Sequence, residues 1–522
     1  MAGAAYTRPQ EASAAVFGNP ATLTQFPGVN FNFGAALVIL TEIKVETDTT
    51  LSADIGGGDI NLVGHEDHVS DADNYIVPTL GITLQVSPNL TLGLGLEADA
   101  GLGADYRDAP LELFGGVFYD TQQALGAGDS NVGAAALGLN FPLDGPIAAP
   151  LLVEVISFNA NLAAAYKVTQ DLSVGASLTI GFGLAQLGTS GPTTGFDTVS
   201  DLVVDSLIPG LGINDGTLDT GPAIGGVLGL TGPQESVLSN WGGTTSSVHD
   251  IAFGWTLGAT YVVADGITTS LTVKGPVEYK FKNIIYGDPV ATGGALVPGN
   301  AADGWQHLDI EQPLEVIAGA AFDNVLAPGL LVELDVIWKN WDDADAYQDA
   351  YDDQFIIALG AQYTTGAWSL RGGYSWTESI LKDNPNSTLG QITGLGNLPL
   401  GAGAAALDSS GLIPPAGQIV EALATDFIDI VQMSLLPVLW KHTVTAGVGY
   451  NFTDAVSVNA FASYSLPEKE SRDLATVAVA GDVALANLGI LGSGGVGTGR
   501  SSISQDLDSE IFVGLGINVA LP

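Results

Sequence analysis

The 522-residue chain carries 57 acidic against 14 basic side chains, a formal net charge of −43. No basic patch is left to neutralise phosphates, which excludes nucleic acid as a partner. Only 14% of residues are charged, below the roughly 25% usual in soluble proteins, and there is no cysteine to supply a disulfide or a thiolate metal site. No apolar run approaches the ~18 residues of a membrane helix. The greasiest stretch, Phe427 to Trp440, is interrupted by Asp429, Gln432 and Pro437.

From the start, Met1 to Pro9 lacks a basic flank followed by an apolar core and reads as a mature N-terminus. Residues 1–27 do not alternate in polarity, and a segment of that size before the first strand is expected to fold back into a lumen as a plug. From Val29 onward the pattern changes to period two. Alternating segments fall at 29–46, 74–87, 89–101, 152–168, 171–187, 248–264, 266–283, 305–322, 328–340, 352–364, 366–377, 441–452, 455–466 and 507–521. Leu172, Val174, Ala176, Leu178, Ile180, Phe182 and Leu184 form one apolar row with Gly, Ser and Thr between them. Ile251, Phe253, Trp255, Leu257, Ala259 and Tyr261 form another. Strands expose alternate side chains on opposite faces. With a Gly- and Ser-rich second face, the arrangement expected is an all-β transmembrane antiparallel barrel of about fourteen strands, apolar face outward.

The connections are unequal. Ser87-Pro88-Asn89 and the pieces between Tyr166 and Leu172, Val262 and Ile267, and Tyr450 and Val456 are tight turns. Long stretches lie near 102–151, 188–247, 284–304, 378–440 and 467–506, as extracellular loops do. Two of them hold apolar residues at helical spacing, Leu111, Phe114, Phe118 and Leu125 in one and Leu202, Leu207 and Leu211 in the other. These are expected either to form a capture groove or to pack the loops on one another. Gln418 to Trp440 reads as an amphipathic helix over the barrel mouth.

The acidic excess itself fits a hydrated surface in salty or divalent-rich water. Asp342, Asp343, Asp345, Asp349, Asp352 and Asp353 cluster without the Gly-centred spacing of a calcium loop. His65 and His68 flank Glu66 and Asp67 with no third metal ligand at matching spacing, so no metal or cofactor is expected, and no catalytic constellation emerges.

Alternation also allots the lumen. With Leu271, Val273, Val277, Tyr279 and Phe281 toward lipid, Lys274, Glu278, Lys280 and Lys282 should face inward, together with Arg371, Asp309, Glu311, Glu315, Glu333 and Asp335. Such residues either pair into a structural network or hold a ligand, with Arg371 or Lys274 as carboxylate anchor. Because acids outnumber bases among them, cargo without a free carboxylate is expected at least as readily as fatty acids.

Asn19-Pro20-Ala21-Thr22-Leu23 resembles the hatch motif of the FadL/TodX outer-membrane transporters of long-chain fatty acids and hydrocarbons. Phe253 to Tyr261, Lys274 to Lys282 with Glu278 and Phe281, and Pro313 with Glu315 follow in that family's order. So do Trp338-Lys339-Asn340-Trp341, Ile357 to Tyr363 and Leu370 to Tyr374. The resemblance implies residues 1–28 as an N-terminal hatch containing Asn19, Pro20 and Ala21, and 29–522 as a fourteen-stranded barrel. It also implies lateral release at a kink in the third strand, with Gly101 and Gly103 as candidates. Two departures are the Ala185-Gln186 ending of the fifth strand, where a basic residue is expected, and the non-aromatic terminus Leu521-Pro522.

The expected function is passive transport of small hydrophobic molecules (fatty acids, alkanes or aromatics) by a non-enzymatic monomer bathed in outer-membrane lipid of a Gram-negative bacterium. Ligand candidates are Arg371, Lys274, Glu278, Lys280 and Glu315, and groove candidates are Leu111, Phe114, Phe118, Leu207 and Leu211. The alternatives are a general porin or surface adhesin, or a secreted soluble acidic β-protein of a halophile.

Overall fold

The architecture was determined as a computed structural model. It describes residues 1–112, 148–189, 242–286, 305–383, 426–434, 440–475 and 498–522, less a few positions within them. Fourteen strands close into an antiparallel up-and-down barrel. They are β1 (Val29–Leu40), β2 (Asn74–Ser87), β3 (Leu90–Asp105), β4 (Leu151–Lys167), β5 (Leu172–Thr189), β6 (Val248–Ala264), β7 (Ile267–Lys274), β8 (Glu315–Asp323), β9 (Leu330–Lys339), β10 (Gln354–Thr365), β11 (Trp368–Thr377), β12 (His442–Asn451), β13 (Val456–Ser465) and β14 (Glu510–Leu521). Closure is made by β1 against β14, from Val29↔Leu521 to Leu40↔Glu510.

The period-two pattern builds the wall as expected. Leu178, Phe182, Ile251, Phe253, Trp255, Leu257 and Tyr261 are all exposed on the outside, while Ser173, Ser177, Thr179, Thr256 and Thr260 are buried on the lumen side. Such an outer face is stable only against acyl chains. Tyr166, Tyr261, Tyr363, Trp368 and Phe452 are exposed beside the short turns, and Phe355, Tyr374 and Tyr464 near the opposite strand ends. Phe355 and Tyr363 of β10 thus stand about 20 Å apart across the membrane, given the rise and tilt of barrel strands. These are the two aromatic girdles of a membrane-spanning barrel. At the short end, Asp265-Gly266 closes β6 on β7 in two residues, with Ala264 opposite Ile267. Gly266 takes the left-handed φ of +75° that such a turn demands.

Three expected strands stop short of their predicted ends. The segment 29–46 ends its barrel part at Leu40, 266–283 at Lys274, and 305–322 begins its barrel part only at Glu315. The surplus pieces leave the wall. Val277–Tyr286 and Trp305–Gln312 pair with each other as a separate hairpin, turned inward so that Tyr279 and Phe281 lie against the lumen-facing Gly181 and Gly183 of β5. Ile43–Asp54, Asp59–Val69, Glu468–Leu474 and Thr498–Leu507 form a four-stranded sheet beyond the barrel.

Consequently Val277, Tyr279 and Phe281 face a protein core rather than lipid, and all three are buried. Glu278, Lys280 and Lys282 are therefore exposed, and the expectation that they face the lumen is corrected. Lys280 pairs with Asp309 across the hairpin at 3.2 Å. The break is written in Gly275-Pro276 and Pro313, since proline cannot donate within a sheet ladder. Of the expected helix at 418–440, Asp426, Asp429, Ile430 and Gln432 to Ser434 are helical and buried, while Trp440 is not helical.

Residues 1–27 lie inside the barrel. A one-and-a-half-turn helix, Ala12–Phe17, and a 3-10 helix, Pro20–Gln25, pack on the inner faces of β3 to β6. The wall admits them because its inward positions there are glycines: side chains on Gly93 or Gly95 would collide with Val16, Leu23 or Phe17, and one on Gly175 with the backbone of Pro20 and Ala21.

Candidate functional site

The lower half of the lumen is organised by hydrogen bonds from the wall to the N-terminal segment. Glu333 and Asp335, alternate residues of β9 and fully buried, point inward. Asp335 Oδ2 accepts from the amides of Ala5 and Tyr6 at 3.0 and 3.2 Å. Glu333 Oε1 accepts from those of Thr7 and Arg8 at 2.7 and 3.2 Å. The Arg8 guanidinium donates instead to Asp323 at 2.7 Å. Four successive amides that cannot join a helix or sheet are thus satisfied by two carboxylates, an arrangement stronger per bond than neutral pairs.

Asn19 holds the segment to itself and to the wall. Its amide nitrogen donates to the carbonyls of Tyr6 at 2.9 Å and Ala259 at 3.3 Å, while its Oδ1 accepts from Ala21 at 3.0 Å. Pro20 supplies the fixed φ at the start of the 3-10 helix, and Pro20 and Ala21 are buried on the inner wall. On the short-turn side a cavity of about 650 Å³ opens below this segment, lined by Arg8, Gln10, Gln25, Lys167, Asp171 and Asp323 among others. That mouth is polar.

Above the segment lies a charged chamber. Lys339 Nζ stands 2.8 Å and Lys274 Nζ 3.7 Å from the carboxylate of Glu315. Lys274 also sits over the Tyr6 ring, 5.6 Å from its centroid, and Lys339 over that of Trp341 at 5.8 Å. Glu97 and Asp99 of β3 lie within electrostatic reach of the same lysine, and Asn161 donates to Glu97 at 3.4 Å. Of the sequence candidates, Lys274 and Glu315 meet here. Arg371 stands elsewhere, donating to Gln362 at 2.6 Å and to Asn459 at 2.8 Å, with Glu11 as its charged neighbour. Glu97, Asp99 and Lys339 were not singled out from sequence. For Glu97 the signal was present, because it continues the inward row Gly93, Gly95.

The wall itself is incomplete beside this chamber. β2 and β3 pair from Ser87↔Leu90 up to Leu80↔Leu96. Above that point Asn74 to Thr79 pair with β1 alone, and Glu97 to Asp105 with β4 alone. Among the described residues no ladder joins the two stretches. They meet again at the top, where the Asp71 amide donates to the Asp105 carbonyl at 2.9 Å and the Asp105 amide to Ser70 Oγ at 2.9 Å.

Two local features accompany this break in pairing. Pro78 lies in the unpaired part of β2, where a missing donor costs no ladder bond. In β3 the register slips between Ala98↔Phe158 and Ala100↔Ser157, leaving Asp99 as the extra residue of a bulge. Leu92, Leu94 and Leu96 are exposed before the bulge, whereas Ala104 is buried beyond it, so the slip exchanges the two faces. The ladder is regular again through Gly101 and Gly103. Gly101 has open space around it, and Gly103 faces the Tyr75 hydroxyl across the window.

Of the loop candidates, Leu111 is fully buried in a short ladder with Ala149. Phe114, Phe118, Leu207 and Leu211 lie outside the described residues. His65 contacts Asp48 and Asp67 on the extramembrane sheet, and no group that could hold a metal ion occurs among the described residues.

The sequence of residues 150–389 matches the model of a family described as outer membrane protein transport protein (OMPP1/FadL/TodX). The chain resembles the FadL/TodX family. A solved Pseudomonas aeruginosa FadL homologue aligns over 99% of this chain and 97% of its own at 12% identity, with a TM-score of 0.54. The Pseudomonas putida toluene transporter TodX aligns over 98% and 94% at 18% identity and a TM-score of 0.49. The Ralstonia pickettii toluene transporter TbuX gives 98% and 94%, 15% identity and 0.47. No curated protein sequence matches the chain. The FadL homologue shares the fold, and the matching family description is that of a transport protein. The matching family description is that of outer membrane proteins.

Proposed function

We propose that the chain is a passive outer-membrane transporter of small hydrophobic molecules, such as long-chain fatty acids or hydrocarbons, which leave the lumen sideways into the membrane. The observation that carries this reading is the unpaired window between β2 and β3, opening off the lumen directly above residues 1–27. These residues act as a hatch: they fill the bore, while the mouth beneath them is polar and unsuited to greasy cargo. A solute captured by the extracellular loops passes the chamber and exits through the window without crossing the aqueous periplasmic end. Solved relatives titled as toluene transporters and monoaromatic hydrocarbon channels agree with cargo of this kind.

The chain has no cysteine, so a pair can be introduced cleanly. Pro78→Cys with Gly101→Cys, joined by a short bis-maleimide, bridges the window. Uptake of a labelled alkane by cells bearing the bridged protein should fall to that of cells without it, with each single variant unaffected. Undiminished uptake through the bridged barrel would rule out the lateral route. High, water-filled conductance of the intact protein in planar bilayers would favour the porin reading instead.

A further inference from the structure

Along the inward row of β3 the chemistry changes at the window. Gly93 and Gly95 receive the apolar side chains Val16, Leu23 and Phe17. Glu97 and Asp99 follow in the same odd-numbered row, which ends at the bulge, beyond which the even-numbered residues turn inward. Behind them both lysines of the chamber are engaged by Glu315. Among the described residues neither Glu97 nor Asp99 forms an ion pair. Three carboxylates thus stand against two ammonium groups, and the two not neutralised flank the way out.

A solute whose polar end is anionic would have to pass these carboxylates in a confined, poorly screened space, where like charges repel strongly. A solute with an uncharged hydroxyl meets the opposite situation. Carboxylates are acceptors only, and a hydroxyl donated to one forms a strong charge-assisted bond. We propose that Glu97 and Asp99 determine specificity, turning back anionic amphiphiles and admitting uncharged cargo, with preference for molecules whose polar end donates a hydrogen bond, such as alkanols and alkylphenols. This inference rests on the lateral-transport reading and adds the class of cargo to it.

The test measures initial uptake of labelled decane, 1-decanol and decane-1-sulfonate by cells that lack their own hydrophobic-uptake channel and express the full chain. The sulfonate is chosen because it stays anionic and does not cross lipid unaided. Decanol should enter about tenfold or more faster than the sulfonate. In the Glu97→Gln, Asp99→Asn double variant the sulfonate rate, taken relative to that of decane, should rise toward that of decanol. Equal alcohol and sulfonate rates in the parent protein, or an unaltered ratio in the variant with decane still entering, overturn the inference alone. Absence of decane uptake by folded parent protein sinks the transport reading as well. Folding is read from heat-modifiable gel mobility, and should the double variant fail it, Asp99→Ser alone replaces it with the same outcomes.

Discussion

Asn19 occupies the space that a side chain on Gly258 would need: a Cβ built there would come within 1.9 Å of the Asn19 Oδ1. The hatch and β6 are therefore matched at one atom. Gly258→Ala must push Asn19 away and with it the bonds to Tyr6, Ala21 and Ala259. Asn19→Ala removes the same bonds without a clash. Both variants should give a folded barrel with raised ion conductance in planar bilayers, Gly258→Ala more so. Parental conductance in both would detach this contact from plugging.

A second expectation concerns β9. Replacing Glu333 and Asp335 together by alanine orphans the amides of Ala5 through Arg8, at roughly 1–3 kcal/mol for each one left buried without a partner. Hydrogen exchange should then become fast at residues 5–8 while the β9 ladder stays protected. Slow exchange throughout would mean that other contacts hold the segment.

Lipid contact predicts a gradient with depth. Leu178→Arg, near the middle of β5, should destabilise the folded barrel by about 2–4 kcal/mol, and Val174→Arg, close to the turn, by about 0–1 kcal/mol. Unfolding titrations in phospholipid vesicles would show it. Equal costs at the two sites would contradict the assigned membrane boundary.

The extramembrane sheet should respond to acid. Lys44, at 2.6 Å, and Lys469 hold the Glu46 carboxyl down to about 2. A carboxyl held below its unfolded value of 4.5 contributes stability above that pH, lost as pH falls from about 4.5 through 2. His65 has the reverse sign. Its hydrogen bond to Asp48 raises its pKa above 6.5, so its contribution is present below that pH and fades as pH rises through the raised value. The His65 side chain is exposed, so its effect is small and screened by salt, while Glu46 is partly covered by its two lysines and is screened less. Exchange protection of Ile43–Asp54 should decline below pH 4.5, and more weakly at low pH after Glu46→Gln. Protection that is flat with pH would remove Glu46 from the account.

The barrel was legible in the sequence because a lipid-facing wall repeats one simple rule, visible in Leu172 to Leu184 and Ile251 to Tyr261. The rule stops at telling which environment an apolar row meets. Val277, Tyr279 and Phe281 alternate as perfectly as any membrane strand, yet they bury against glycines of the inner wall, and Glu278 and Lys280 face water in consequence. Only Gly275-Pro276 marked the departure. The strand at 43–54 escaped notice for the opposite reason, since Thr47 and Thr49 occupy its buried face and no apolar row results. At the chamber, parity points Lys274 and Glu315 to one side, and the two meet at 3.7 Å. It carries the row Gly93, Gly95, Glu97 on to Asp99, but cannot foresee the exchange of faces beyond Asp99, which only the partner strand reveals.

The first and last strands of the barrel do not part company at the membrane surface. Beyond Leu40↔Glu510 the same two chain directions pair again from Ile43↔Leu507 to Ser52↔Thr498. The seam that turns a curled sheet into a cylinder is thus a zipper running past the bilayer into water, where hydrogen bonds can be made before lipid surrounds them. Sealing the cylinder can begin from its outer end, and prying it open there requires undoing the part that never touches the membrane.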